Sequence, residues 1–124
     1  IKLGIKKKLY LGNLDSFRDW GHAKDYIRAM HLILKHNKPD DFVIATGHTR
    51  SIRQLCDVVF NNLNLDYKKY VKQQKKFLRP EELKYLKGDS SKARKVLKWK
   101  PEISFEQMIN EMTDFWMKYY HDKK

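Results

Sequence analysis

Phe42-Val-Ile-Ala-Thr46, closed by Gly47, is the segment that most limits the folds open to this chain. It is a short apolar run, rich in β-branched residues, and it predicts a strand buried on both faces, the kind found in parallel sheets. Ahead of it, Ala23, Tyr26, Ile27, Met30, Ile33 and Leu34 recur at helical spacing. They predict a helix with one buried face from about Gly21 to His36, stopped before Pro39. Behind it, Ser51 opens a second helix, and Gln54 three residues on completes a capping box. Ile52, Leu55, Cys56, Val59 and Leu63 form that helix's expected buried face. Helix, strand and helix in this order give an α/β pattern.

The remaining elements are shorter. Lys7 to Leu11 reads as a strand ending at Gly12-Asn13, and Tyr67 to Val71 as another short strand. Pro80 suits the first position of a short helix ending at Gly88, and a further short helix follows Asp89 and stops before Pro101. Ser104 caps the last helix, with Gln107 as its box partner and an Ile103–Met108 staple. Phe105, Met108, Ile109, Met112, Phe115, Trp116 and Tyr119 then keep one face apolar, which reads as core.

At 124 residues, with 41% hydrophobic and 34% charged side chains, the chain reads as one compact globular unit. No apolar run approaches the roughly 18 residues of a spanning helix, and no secretory signal is evident. The first residue is Ile1 rather than Met, which reads as a start inside a longer product. The net charge of +12 favours anionic partners, although the lysines look scattered, as on a solvated surface. A single cysteine, Cys56, rules out a disulfide framework and points to a reducing cytosol; on an apolar helix face it reads as core.

Several chemistries are absent. Glycines at 4, 12, 21, 47 and 88 build neither a GxGxxG nor a P-loop. The five histidines lack metal-ligand spacing, and no metal site is expected. A Tyr-x-x-x-Lys spacing occurs at Tyr119/Lys123 and Tyr120/Lys124, in a lysine-rich tail where chance matches are expected and a frayed end cannot preorganise a proton transfer. Two clusters remain. Arg18 stands at the turn into the first helix, and Arg79 precedes Glu82 by three residues. Arginine offers a planar fork for phosphate oxygens, and a carboxylate accepts from sugar hydroxyls. Arg79 and Glu82 could thus read adjacent parts of a nucleotide, or form only a local ion pair at a helix start.

The run from Lys8 to Met30, KLYLGNLDSFRDWGHAKDYIRAM, resembles the GDP-mannose 4,6-dehydratase family of extended short-chain dehydrogenase/reductases. The resemblance continues through DFVIATG (41–47), Ser51-Ile52-Arg53, FLRPEEL (77–83), LKGD (86–89), Lys92-Ala93 and LKWKP (97–101). It departs at Thr49-Arg50 and across the lysine-rich stretch between Leu63 and Phe77.

The resemblance implies an α/β chain that is the C-terminal part of the family fold, the substrate-binding subdomain plus the last part of the Rossmann sheet. Residues 1–124 would form one sugar-nucleotide-binding portion. The implied activity is NADP-dependent conversion of GDP-mannose to GDP-4-keto-6-deoxymannose. NADP and the catalytic groups would belong to an N-terminal domain outside this chain, leaving it inactive alone. Arg18 and Arg79 match the family's diphosphate-side arginines, and Glu82 its ribose-side glutamate. Asp19, Trp20, His22, Lys24 and Asp25 read as scaffold that aims Arg18. The expected partner is GDP-mannose, with no nucleic acid and no membrane, in a cytoplasmic protein that is a homo-oligomer at full length. Another nucleotide-sugar epimerase, reductase or dehydratase of the same fold is the alternative. A basic nucleic-acid-binding module is the alternative of a different class, disfavoured because the aromatics mostly follow helical faces that read as buried.

Overall fold

In the computed structural model, which describes residues 1–123, strand β1 (Leu9–Leu11) leads to β2 (Phe17–Asp19) and helix α1 (Ala23–Leu34). Strand β3 (Thr49–Ser51) passes directly into α2 (Ile52–Asn62), and α3 (Tyr67–Tyr70) into β4 (Val71–Gln73). A 3-10 turn (Lys75–Phe77), α4 (Ser91–Val96) and α5 (Phe105–His121) complete the order. β1 and β4 pair in parallel, with Leu9 opposite Val71 and Leu11 opposite Gln73. β2 and β3 pair antiparallel, with Arg18 opposite Arg50.

Local chemistry sets the helix starts. Ser51 Oγ accepts from Gln54 N at 3.1 Å while Ser51 N donates to Gln54 Oε1 at 2.8 Å, the expected box. Ser104 and Gln107 repeat it at the start of α5 with the same distances. Helix α2 ends with Asn64 at φ 54°, and Leu65 N donates back to Phe60 O at 2.8 Å. Asparagine tolerates this left-handed position, and the back-bond satisfies a terminal carbonyl.

Two clusters make the core. Leu14, Cys56, Phe60, Tyr67 and Val71 pack between α2 and the β1–β4 pair. Ala29 of α1 and Ala93 of α4 are fully buried in one cluster with Leu97 and Trp99. Gly88 allows a close approach, since a Cβ there would lie 2.2 Å from the Cβ of Ala45.

Five expectations are corrected. Residues 42–46 belong to no ladder: a strand needs a partner, and among the described residues none runs beside them. The strand expected from Tyr67 begins only at Val71, because Asp66 accepts from Lys68 N and winds 67–70 into a helical turn. No helix follows Pro80; residues 84–86 instead run beside β2, where Phe17 N donates to Lys84 O at 2.8 Å and Leu86 N to Phe17 O at 3.1 Å. The apolar face of α1 divides: Tyr26 and Ile33 pack on the core, whereas Ile27, Met30 and Leu34 are exposed. The stripe of α5 is buried only at Ile109, and Met112, Phe115, Trp116 and Tyr119 stay exposed. Helix α5 meets α2 near Ile109, where Asn62 donates to Asn110, and beyond that point its aromatic rings stack mainly on one another.

Candidate functional site

Because residues 84–86 line up beside β2, the carbonyl of Leu83 reaches the side chain of Arg18. Arg18 Nη1 donates to Leu83 O at 2.8 Å and to its own neighbour Phe17 O at 2.7 Å, while Nη2 meets Glu82 Oε1 at 3.3 Å. Tyr85 fixes the same segment, bridging to Phe17 with ring centroids 5.9 Å apart. Two candidates 64 residues apart thus stand side by side, each about a quarter exposed. The pair is too open to weigh heavily in stability, at most about 1 kcal/mol. Its chemistry is that of a guanidinium held in a set direction with a carboxylate beside it.

Arg79 is not brought into this pair. It is exposed and makes no hydrogen bond or ion pair among the described residues. The local Arg79–Glu82 ion pair does not form, because Glu82 turns to Arg18 and the helix that would set an i, i+3 geometry is absent. Arg79 therefore remains an unengaged fork on the strand-like segment that delivers Glu82.

The residues around Arg18 hold the scaffold in ways the spacing did not reveal. Asp19 accepts from Thr46 N at 2.9 Å, Thr46 Oγ1 at 2.6 Å, Gly47 N at 2.8 Å and Gly88 N at 3.3 Å. One carboxylate thus ties β2 to two distant turns. Arg94 grips the other side of the same turn, donating to Thr46 O at 2.7 Å. Asp25 is 2% exposed and accepts from Arg28, Glu102 N and Ile103 N, at 3.0, 3.0 and 3.1 Å. Trp99 Nε1 completes that knot by donating to Asp25 O at 2.9 Å. His22 caps α1: its Nδ1 accepts from Lys24 N at 3.1 Å, which leaves Nε2 as the donor to Glu111 Oε2 at 3.0 Å. Lys24 Nζ takes the other Glu111 oxygen at 3.0 Å. Burial raises the Tyr26 phenol, reinforced by the charge of Asp19.

Next to β2 and β3 lies a cleft of about 350 Å³, with Trp20 stacked on Phe105 at 5.8 Å and Arg50 over the same ring at 5.6 Å. Glu106 lies 3.7 Å from Arg50, so the charge there is already balanced. No group of His, Cys, Asp and Glu suited to a metal occurs among the described residues. Burial raises the Cys56 thiol, which keeps it protonated and inert. Lys123 does reach Tyr119 Oη at 2.5 Å, but on the exposed last turn of α5; Lys124, and with it the Tyr120/Lys124 pair, lies outside the described residues. No helix is long and apolar enough to cross a membrane among the described residues.

Residues 1–112 match the family profile described as GDP-mannose 4,6 dehydratase. The chain is 46% identical to GDP-mannose 4,6 dehydratase 2 of Arabidopsis thaliana, over 92% of this chain and 31% of that protein. It is 39% identical to the Homo sapiens GDP-mannose 4,6 dehydratase, over 90% of this chain and 35% of that protein. The chain therefore spans about a third of the length of the curated relatives it matches. In three dimensions it resembles RMD from Pseudomonas aeruginosa complexed with NADPH, with a TM-score of 0.84 at 22% identity over 95% of this chain and 39% of that one. It also resembles dTDP-glucose 4,6-dehydratase from Bacillus anthracis in complex with NAD, with a TM-score of 0.79 at 19% identity, covering 90% and 35% of the two chains. These likenesses fix the fold as part of that shared by short-chain dehydrogenase/reductase dehydratases and epimerases.

Proposed function

The chain belongs to the GDP-mannose 4,6-dehydratase family, and on that premise we propose that it is the GDP-sugar-holding portion of an enzyme converting GDP-mannose to GDP-4-keto-6-deoxymannose. The observation that carries this reading is the pairing of Arg18 with Glu82 at 3.3 Å inside the matched region. Arg18 is held by two carbonyls, so its fork is aimed before any ligand arrives. A diphosphate would draw its charge-assisted hydrogen bonds from Arg18 and the unengaged Arg79, and Glu82 would accept from ribose hydroxyls. The 37–46% identity to GDP-mannose dehydratases favours this substrate over those of the epimerases and dTDP-sugar enzymes that share only the fold, at 19–22%.

The residues described here do not fit a dinucleotide cofactor, since no glycine-rich turn opens any of the helices. NADP and the acid–base groups are assigned to the remaining two thirds of the protein, and this portion alone is expected to have no turnover. At full length the protein is taken to be a cytoplasmic homo-oligomer.

Calorimetric titration of the natural-length protein with GDP-mannose tests the assignment. Charge-assisted hydrogen bonds are worth about 1.5–3 kcal/mol, so Arg18→Ala or Arg79→Ala should each weaken binding about 10- to 100-fold. Arg79→Lys should recover only part of the loss, because an ammonium keeps the charge without the fork. Glu82→Gln should cost less than either. NADP affinity should stay constant throughout. Unchanged GDP-mannose affinity in Arg79→Ala would remove Arg79 from the site, and failure of the parent to bind GDP-mannose would remove the function.

A further inference from the structure

Residues 1–10 and 66–77 are distant in the chain and are joined by the β1–β4 ladder, which sets Tyr10 opposite Lys72. These two stretches contain nine of the 27 basic residues and one of the 15 acidic ones, so they carry +8 of the net +12. All nine lysines are exposed. Lys6, Lys7 and Lys8 lead into β1, Lys68 and Lys69 lie on α3, and Lys72 lies on β4. The single acid, Asp66, accepts from Lys68 N at 3.0 Å as a helix cap.

Elsewhere some cations have acidic partners, with Arg28 on Asp25, Arg53 on Asp15, Lys92 on Asp40 and Lys24 on Glu111, and the 18 basic residues outside these stretches are set against 14 acidic ones. None of the nine lysines meets a carboxylate among the described residues. The scattered lysines of the sequence are, in space, one uncompensated patch.

Aromatic rings lie among these charges. Tyr10 is 47% exposed, two residues along the strand from Lys8 and beside Lys72. Phe77 is 49% exposed, with Lys76 Nζ 4.9 Å from its ring centre. A Cβ on Gly12 would point at the backbone of Phe77, 2.4 Å from its carbonyl oxygen. Gly12 lies just past the end of β1, so this contact brings the backbone of Phe77 close to the end of the strand that carries Tyr10. Helical periodicity hid this arrangement, because neither ring is on an α-helix.

We propose that this face binds single-stranded nucleic acid without sequence preference. Lysines supply point charges for a phosphate backbone, and the exposed rings supply faces on which any base can stack. An anionic membrane fits less well. The apolar neighbours, Ile5 and Leu9, line a concave groove of about 640 Å³ against α2 and α5, rather than a convex face that could enter a bilayer.

The test is fluorescence anisotropy of labelled 15-residue oligo(U) and oligo(dT) with the natural-length protein, from 50 to 200 mM salt. If about five lysines neutralise phosphates, log K should fall with log salt at a slope of about −3.5, a loss of about 100-fold across that range. The triple variant Lys72→Gln/Lys75→Gln/Lys76→Gln should lower the slope by about 2. Tyr10→Ala should weaken binding about tenfold with the slope unchanged. Circular dichroism confirms that each variant is folded, and saturating GDP-mannose should leave oligonucleotide binding intact. No binding at 50 mM salt, or equal binding by the triple variant, overturns the proposal. Displacement by GDP-mannose overturns it too, by reducing the signal to the sugar-nucleotide site. Tighter binding to phosphatidylserine vesicles than to either oligonucleotide would assign the patch to membranes instead. Every arm can be read even if GDP-mannose proves not to be the substrate.

Discussion

Asp25 shows how one side chain can hold a site that it never touches. It is buried, its oxygens accept from Arg28 and from two successive amides at 102 and 103, and its own carbonyl receives Trp99. Removing the carboxylate leaves two amides without their acceptor, while Arg28 keeps Glu102 and the Lys100 carbonyl, so Asp25→Ala should destabilise the natural-length protein by about 3 kcal/mol. Asp25→Asn keeps one accepting oxygen and should lose roughly half of that. Urea unfolding followed by circular dichroism measures both, and a loss below about 1 kcal/mol for the alanine variant would show that the knot supports little. The motif RDWGHAKDY marked Arg18 as the ligand group and its neighbours as scaffold. It could not reveal that Asp19 binds turns 27 and 69 residues away, because a carboxylate bonded to backbone N–H groups leaves no spacing pattern. The Arg18–Glu82 contact was hidden because its partners lie 64 residues apart, and the i, i+3 spacing of Arg79 and Glu82 pointed to a different pair.

At the scale of elements, the features read correctly were those whose causes are local. Both capping boxes lie within four residues, and both form as expected. Residues 42–46 failed for the opposite reason: apolar, β-branched composition makes a segment fit to be a strand, but a ladder requires a neighbour. Residues 84–86, Lys-Tyr-Leu, show the converse, a stretch read as helical but drawn alongside β2 by Phe17 and Tyr85. Local carboxylates also set the acid response of the elements. Asp89 accepts from Ser91 at the start of α4, and that hydrogen bond lowers its pKa from 3.8. Glu111 receives Lys24 and His22, which lowers its pKa from 4.5 and ties α5 to α1. A carboxylate with a lowered folded-state pKa stabilises above its unfolded value and loses that contribution as pH falls through the folded one. Stability should therefore be flat in this respect between pH 7 and 5 and decline below about 4.5. Asp89→Asn/Glu111→Gln should make the decline shallower, and thermal melts across pH 2.5–7 would show it. An unchanged acid limb would mean that neither contact persists in solution.

For the whole molecule, the apolar surface left uncovered is too extended to suit a chain standing alone. Ile27, Met30 and Leu34 line one side of α1, exposed at 65%, 60% and 85%. Phe115, Trp116 and Tyr120 project from α5. Residues 42–46 add backbone that no strand accompanies among the described residues. Contiguous apolar surface on this scale marks an interface rather than a solvated face, and an unpaired extended segment is a template for further pairing. The chain spans about a third of its relatives' length, and we propose that the part of the family fold outside these residues covers such faces. Two behaviours should then separate. The 124-residue chain alone should bind a hydrophobic dye strongly and self-associate with rising concentration in sedimentation velocity, whereas the natural-length protein should do neither beyond its defined oligomer. Replacing Ile27, Met30 and Leu34 by polar residues should improve the isolated chain and destabilise the natural-length protein. This sign reversal distinguishes a covered interface from an ordinary apolar surface, which would respond in the same direction in both. If the isolated chain stays monomeric, binds little dye and unfolds cooperatively, its two small cores suffice and those faces need no cover.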